Sequence, residues 1–338
     1  MYCPRIDHFV RFNWNGTLGK CGHMVGAPEF RSWQEMQASS WLADIKTQLD
    51  SEKWPAECVR CRDTEAVKNN SIRIDAVKRH EILSRLQSDY LILSGIGDNI
   101  CNSACQSCNA NLSTKIGSLY GKEYIKVSNY SLIDQIPMDR VTEIDINGGE
   151  PTASSSYQRL VDNLPPSVKV LRINTNGSRV LKNLDKLLEK KIQVIVTLSL
   201  DGTGPVHDYV RWPIRWENYQ ETVSDYINLA DSYSNLKIEA WTTLHTLNAA
   251  DFGNILSYCD ENKINHSWAY LQTPTALNVK YTNSWSNRAR DMLSLHTDSR
   301  CRSAAEMMAT LENNQDKFDA YVRAQDSLRK ISIGDYYI

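Results

Sequence analysis

The sequence predicts an α/β fold, a parallel sheet under helical cover. Three observations point there. Through the middle of the chain, short apolar segments alternate with stretches of helical composition. Several of those segments end on turn signals, such as Asn147-Gly148-Gly149, Thr175-Asn176-Gly177 and Asp201-Gly202. Residues able to do chemistry stand at the same ends, where βα proteins carry their sites.

The strands follow in order. Residues 89–96, Asp89-Tyr-Leu-Ile-Leu-Ser-Gly-Ile96, are short, apolar and partly β-branched, the mark of a buried strand. Residues 141–147 alternate like a second strand, and 169–174, 193–200, 236–244 and 265–271 supply four more. Helical stretches fall between them at 154–163, 181–190, 216–230 and 250–262. Beyond Asn283 the chain reads as helical at 288–295, 302–311 and 317–328. That segment is either a closure over the open side of the sheet or a lid that excludes water and shapes a substrate site.

The run Cys101-Asn-Ser-Ala-Cys105-Gln-Ser-Cys108 follows the first strand directly and has no fourth cysteine nearby. Thiolates select zinc, copper(I) or iron–sulfur clusters. A structural zinc site closes with four ligands. A 4Fe–4S cube normally takes one cysteine on each of its irons. Three thiols on one short loop therefore suggest a cube with one iron left open for a substrate or cofactor.

With Gly148-Gly149-Glu150-Pro151 after the second strand, the chain resembles the radical S-adenosylmethionine (SAM) superfamily, whose signature is these two motifs in this order. The resemblance implies a partial (β/α)6 radical-SAM barrel with a 4Fe–4S cluster on Cys101, Cys105 and Cys108. It implies that the backbone of Gly148 and Gly149, together with Glu150, holds the amino group of SAM. Glycine permits the close approach and positive φ such a turn needs. Asn176, Ser199 and Asp201 stand at strand ends. The resemblance implies SAM contacts from Ser199 and Asp201, although Asp201-Gly202 also reads as a simple turn. Arg211 falls where the family often carries an arginine near SAM. The chemistry would belong to the cofactor. An electron from a donor such as flavodoxin or ferredoxin cleaves SAM, and the resulting 5′-deoxyadenosyl radical abstracts a substrate hydrogen. One departure is visible: the family often has an aromatic before the third cysteine, packed on adenine, where this chain has Ser107.

The N-terminal region holds a second thiol set: Cys3, Cys21 in Gly16-Thr-Leu-Gly-Lys-Cys21, and Cys58-Val-Arg-Cys61. Four thiols can close a zinc site or saturate an iron–sulfur cluster. Beside the barrel motifs, this order resembles a twitch domain, the shortened relative of the SPASM domain, placed before the barrel. Trp54, Glu65, Ser71 and Arg73 fit the same group. The resemblance implies an auxiliary 4Fe–4S cluster, for two clusters in all. The expected organisation is a twitch-like unit over 1–85, the barrel over 86–283 and a C-terminal helical closure over 284–338.

The remaining thiols are Cys259, which reads as a small buried apolar group, and Cys301, a weak candidate for returning a hydrogen atom to a substrate radical. His23 beside Cys21 is a surface neighbour or a support for the cluster ligands. Trp268 and Tyr270 on the sixth strand either line a substrate cavity or pack under helices.

At 338 residues the chain can bury one large core and a smaller appended one. Its formal net charge of −2 gives no pull toward nucleic acid or anionic membrane. No apolar run approaches the roughly 20 residues that span a bilayer. The first residues lack an apolar signal core. The expectation is a cytoplasmic enzyme, where cysteine clusters mean metal or catalysis. Twitch and SPASM relatives imply modification of a peptide or protein side chain. The alternatives are dehydrogenation or isomerisation of a carbohydrate- or nucleotide-derived small molecule, and a zinc-binding scaffold without catalysis.

Overall fold

The computed structural model describes residues 1–68, 71–121 and 127–336. The described residues form ten strands: β1 (Phe9–Phe12), β2 (Leu18–Gly19), β3 (Leu91–Asp98), β4 (Val141–Gly148), β5 (Val170–Thr175), β6 (Gln193–Ser199), β7 (Leu236–Leu244), β8 (Asn265–Tyr270), β9 (Tyr281–Thr282) and β10 (Leu311–Asn313). Eight of them form one sheet in the order β2-β1-β3-β4-β5-β6-β7-β8. From β3 to β8 every neighbouring pair is parallel and consecutive in the chain. These are the six strands expected from the sequence, each shifted by at most two residues.

Helices Ser155–Asp162, Leu184–Glu189, Trp216–Ser232 and Phe252–Glu261 cover the outer face. Alternation along each strand decides what the two faces hold. Ile144, Ile146, Leu171, Ile173, Val194, Val196, Leu198, Ala240 and Leu244 point outward into the main core. They meet Val161, Leu187, Tyr219, Tyr226, Phe252 and Ile255 from the helices. Asp145, Arg172, Asn174, Thr197, Ser199, Glu239 and Trp241 line the inner side. A closed barrel fills its interior with aliphatic layers; this sheet keeps its apolar residues outside and leaves a polar interior.

The N-terminal region joins the same sheet. β1 pairs in parallel with β3, Phe9 opposite Ile92 through Phe12 opposite Gly95. Val10, Phe12, Leu18, Phe30 and Met36 belong to the main core. A smaller cluster of Ile6, Leu42, Ile45 and Leu49 packs beside Cys3 and Trp41. Helices Ser40–Asp50, Val59–Lys68 and Ile72–Leu86 complete this region.

The C-terminal segment departs from expectation at 302–311. A helix runs only over Ser299–Ala305, and the chain then becomes strand β10, paired in parallel with β9. Beyond the helix the chain turns through Ala309, whose φ of 50° is left-handed, and pairing with β9 then holds it extended. The amides of Thr310 and Leu311 then bond the Lys280 carbonyl at 2.8 Å each. Among the described residues, no helix is long and apolar enough to cross a membrane.

Candidate active site

The cysteine run leaves the C-terminal end of β3 and is tied down on several sides. The Ile100 amide donates to Asp98 Oδ1 at 3.0 Å, and the Cys101 amide to Thr114 Oγ1 at 3.1 Å. The Ala104 and Gln106 amides donate to the carbonyls of Trp212 and Val210 at 2.8 and 2.9 Å. The helix Gln315–Arg329 closes over the loop from the far end of the chain. Arg329, only 4% exposed, donates to the carbonyls of Ala104 at 2.8 Å and Cys105 at 3.1 Å. The Tyr321 hydroxyl donates to the Gln106 carbonyl at 2.7 Å. Sequence reasoning missed both residues, since nothing local marks a contact across more than two hundred positions.

The two glycines are required first by the chain itself. A Cβ on Gly148 would collide with the Asp98 carbonyl, and one on Gly149 with the Ile100 carbonyl. Gly148 also has a φ of 137°, which L side chains rarely adopt. The turn is thereby zipped to the cysteine loop: the Gly149 amide donates to Asp98 O at 3.0 Å and the Glu150 amide to Ile100 O at 2.6 Å.

Glu150 is 1% exposed, and its carboxylate joins the ends of β4 and β5. Oε1 accepts from the Thr152 amide at 3.0 Å, and from the hydroxyls of Thr152 and Thr175 at 2.7 Å each. Oε2 accepts from the Asn176 amide at 2.6 Å. A carboxylate oxygen takes about two such bonds, so Oε2 keeps an acceptor position. The Asn176 side-chain amide reaches back to Asn102 Oδ1 at 2.8 Å and Ser103 Oγ at 2.7 Å.

Asp201 and Arg211 form a buried ion pair, Nη1 to Oδ2 2.8 Å. The other oxygen of Asp201 accepts from the Thr243 amide at 2.8 Å. Burial pulls the Arg211 guanidinium down, but Cys105 and Asp201 outweigh it and hold its pKa above the usual range.

All of these residues line one cavity of about 440 Å³: Cys101, Cys105 and Cys108, the Gly148-Gly149-Glu150 turn, Asn176, Ser199, Asp201 and Arg211. The donor set fits an iron–sulfur cluster with a polar ligand. Burial first, then the neighbouring thiols, pushes the Cys101 thiol up to about 12 and the Cys108 thiol up to about 11, and burial raises the Cys105 thiol in the same direction. Such a set stays thiolate only beside a cationic centre. On the same wall, Asn147 Oδ1 and Arg211 Nε are buried without a hydrogen-bond partner among the described residues.

The N-terminal thiols Cys3, Cys21, Cys58 and Cys61 also line one cavity, with His23, Trp54 and Arg73. Glu65 accepts from Ser71 Oγ at 2.5 Å and from Arg73 at 2.9 and 2.6 Å. Arg73 also donates to the Tyr2 carbonyl at 2.9 Å and sits over Trp54. This network binds the segment carrying Cys3 to the helix carrying Cys61. Burial, then the neighbouring cysteines, pushes Cys58 up to about 12. Among the described residues, no three His, Cys, Asp or Glu side chains converge closely enough to hold a single ion. A four-iron cube spaces its thiolates more widely than one ion does.

Other residues singled out by sequence lie elsewhere. Cys301 and Cys259 are fully buried in the main core, outside the cavity wall. Trp268 packs edge-on against Phe252, and the Tyr270 hydroxyl donates to the Ala304 carbonyl at 2.8 Å. Ser107 does line the cavity.

No family model matches the chain. Part of it is 33% identical over 112 residues to the mycofactocin maturase MftC of Mycolicibacterium smegmatis, covering 33% of this chain and 28% of that protein. Over 154 residues it is 29% identical to the MftC of Mycobacterium ulcerans, covering 45% of this chain and 40% of that one. The chain thus spans less than half the length of these relatives. Among solved structures, Streptococcus suis SuiB bound to S-adenosylmethionine is 14% identical with a TM-score of 0.43, covering 85% of this chain and 68% of that one. CxxxCxxC and GGEP thus close on one cavity at the ends of β3 and β4, in a chain whose sequence is in part similar to that of MftC.

Proposed function

We propose that this protein is a radical SAM enzyme that modifies a peptide or protein side chain. One observation carries the reading: three thiols, the glycine turn, Glu150, Asn176, Ser199, Asp201 and Arg211 surround a single cavity. The named relatives, which are maturases, support the peptide class.

Cys101, Cys105 and Cys108 would hold three irons of a 4Fe–4S cluster, leaving one for SAM. When bound, the reduced cluster and SAM supply a 5′-deoxyadenosyl radical for hydrogen abstraction. The protein's part is position and electrostatics. Arg329 and Tyr321 fix the carbonyls of the cysteine loop. Gly148 and Gly149 bring the turn against that loop. Glu150 locks β4 to β5 and keeps an acceptor at Oε2 for the SAM amino group. Asn176 and Ser199 offer polar contacts, and the Asp201–Arg211 pair presents a fixed cation to the SAM carboxylate. Cys3, Cys21, Cys58 and Cys61 would hold an auxiliary 4Fe–4S cluster in the unit over 1–85. The barrel would run over 86–283 and the closure over 284–338. A flavodoxin or ferredoxin would donate electrons.

The test is anaerobic reconstitution followed by reduction with dithionite in the presence of SAM. Slow formation of 5′-deoxyadenosine without substrate is expected. A chain that binds iron but neither binds nor cleaves SAM would contradict the reading.

A further inference from the structure

A second cavity, of about 470 Å³, lies on the inner face of the sheet, deeper than the first. Its size is within the roughly 300–1,000 Å³ of ligand pockets. The two cavities share Asn174 and Ser199 as wall residues, so they adjoin. Strand register shows how the deeper one is built. Asn174, Thr197, Glu239 and Asn265 stand opposite one another on β5, β6, β7 and β8, in one row across four strands. Ser199, Trp241 and Ser267 form the next row toward the first cavity. Amides, hydroxyls, a carboxylate and an indole occupy positions that a closed barrel fills with aliphatic side chains.

The charges are unevenly committed. Glu143, fully buried, takes both Arg79 and Arg172 as ion-pair partners. Among the described residues Asp145 accepts only long bonds, from Ser94 at 3.4 Å and Asn147 at 3.5 Å, with both arginines nearby. Glu239 has no side-chain hydrogen bond or ion pair among the described residues. Lys237 stands two residues earlier on the same strand. Beside Glu239 on that face, Trp241 is 41% exposed, although it sits on the cavity wall. An uncommitted carboxylate flanked by an open indole suits a cation, which gains a charge-assisted hydrogen bond and a cation–π contact together.

We propose that this inner cavity receives a lysine or arginine side chain of the peptide substrate, with Glu239 as its anchor and Trp241 beside it. The word peptide rests on the proposed function; the preference for a cation rests on the wall residues alone. A side chain held there would place its neighbouring carbons toward Ser199 and the SAM cavity.

The test uses the reconstituted holoenzyme with SAM. Blocked tripeptides acetyl-Gly-Xaa-Gly-amide, with Xaa as lysine, arginine, norleucine or glutamate, are titrated by saturation-transfer NMR. Lysine and arginine peptides should bind at least tenfold more tightly than norleucine, and glutamate the weakest. Glu239→Gln should bring the lysine-to-norleucine ratio to about one, while Glu239→Asp retains a preference; unchanged iron content and thermal midpoint show that each variant is folded. Equal binding of lysine and norleucine by wild type, or a preference that survives Glu239→Gln, overturns the proposal. SAM affinity of wild type is read separately, so that a failure of the enzyme reading and a failure of the cation site are told apart.

Discussion

Glu150 holds the site together at the scale of one residue. Its carboxylate takes four hydrogen bonds from Thr152, Thr175 and Asn176, and so fixes the relative position of two strand ends. Replacing it strands those donors in a buried place, at about 1–3 kcal/mol for each group left unpaired. Glu150→Ala is therefore expected to weaken SAM binding at least tenfold while the cysteines keep their iron. Equilibrium dialysis with labelled SAM, beside an iron assay, checks both halves. Much of this site was legible in the sequence, because glycine turns and polar residues at strand ends are local signals. What escaped was the reason for the glycines. They make room for the Asp98 and Ile100 carbonyls, a chain-to-chain contact that no local pattern announces. Glu239 and Trp241 escaped too: strand β7 was evident, but which of its faces would be a cavity was set by the neighbouring strands.

The C-terminal helix is the element that most changes the picture. Sequence left 317–328 as either a closure or a lid. Arg329 and Tyr321 make the helix a strap on the cysteine loop, with three hydrogen bonds to consecutive carbonyls at 104–106. Bonds from a charged donor are worth about 1.5–3 kcal/mol each. Arg329→Gln should destabilise the protein by about 3 kcal/mol in denaturant unfolding. It should also release iron from the cysteine loop faster under chelator, with Arg329→Lys intermediate. Unchanged iron release in the glutamine variant would show that the helix only covers the loop. The strand at 311–313 was missed for a different reason: composition around 302–311 favours helix, and the parallel partner that overrides it lies some thirty residues upstream.

For the whole molecule, the informative arrangement is two cysteine sets on one sheet. The six barrel strands and their order were readable because apolar segments and helices alternate cleanly. The attachment of the N-terminal region was not. The four residues of β1 sit between two cysteines and carry no long pattern, yet they attach the segment that carries Cys3 and Cys21 to β3. In the proposed account each set holds its own four-iron cluster. The most direct measurement is iron and zinc per chain after anaerobic reconstitution, in wild type and in two variants. The account predicts about eight irons in wild type. It predicts about four when Cys101, Cys105 and Cys108 are replaced together by alanine. It also predicts about four when Cys3, Cys21, Cys58 and Cys61 are replaced. Stoichiometric zinc in wild type, or undiminished iron in the variant lacking Cys101, Cys105 and Cys108, would contradict it.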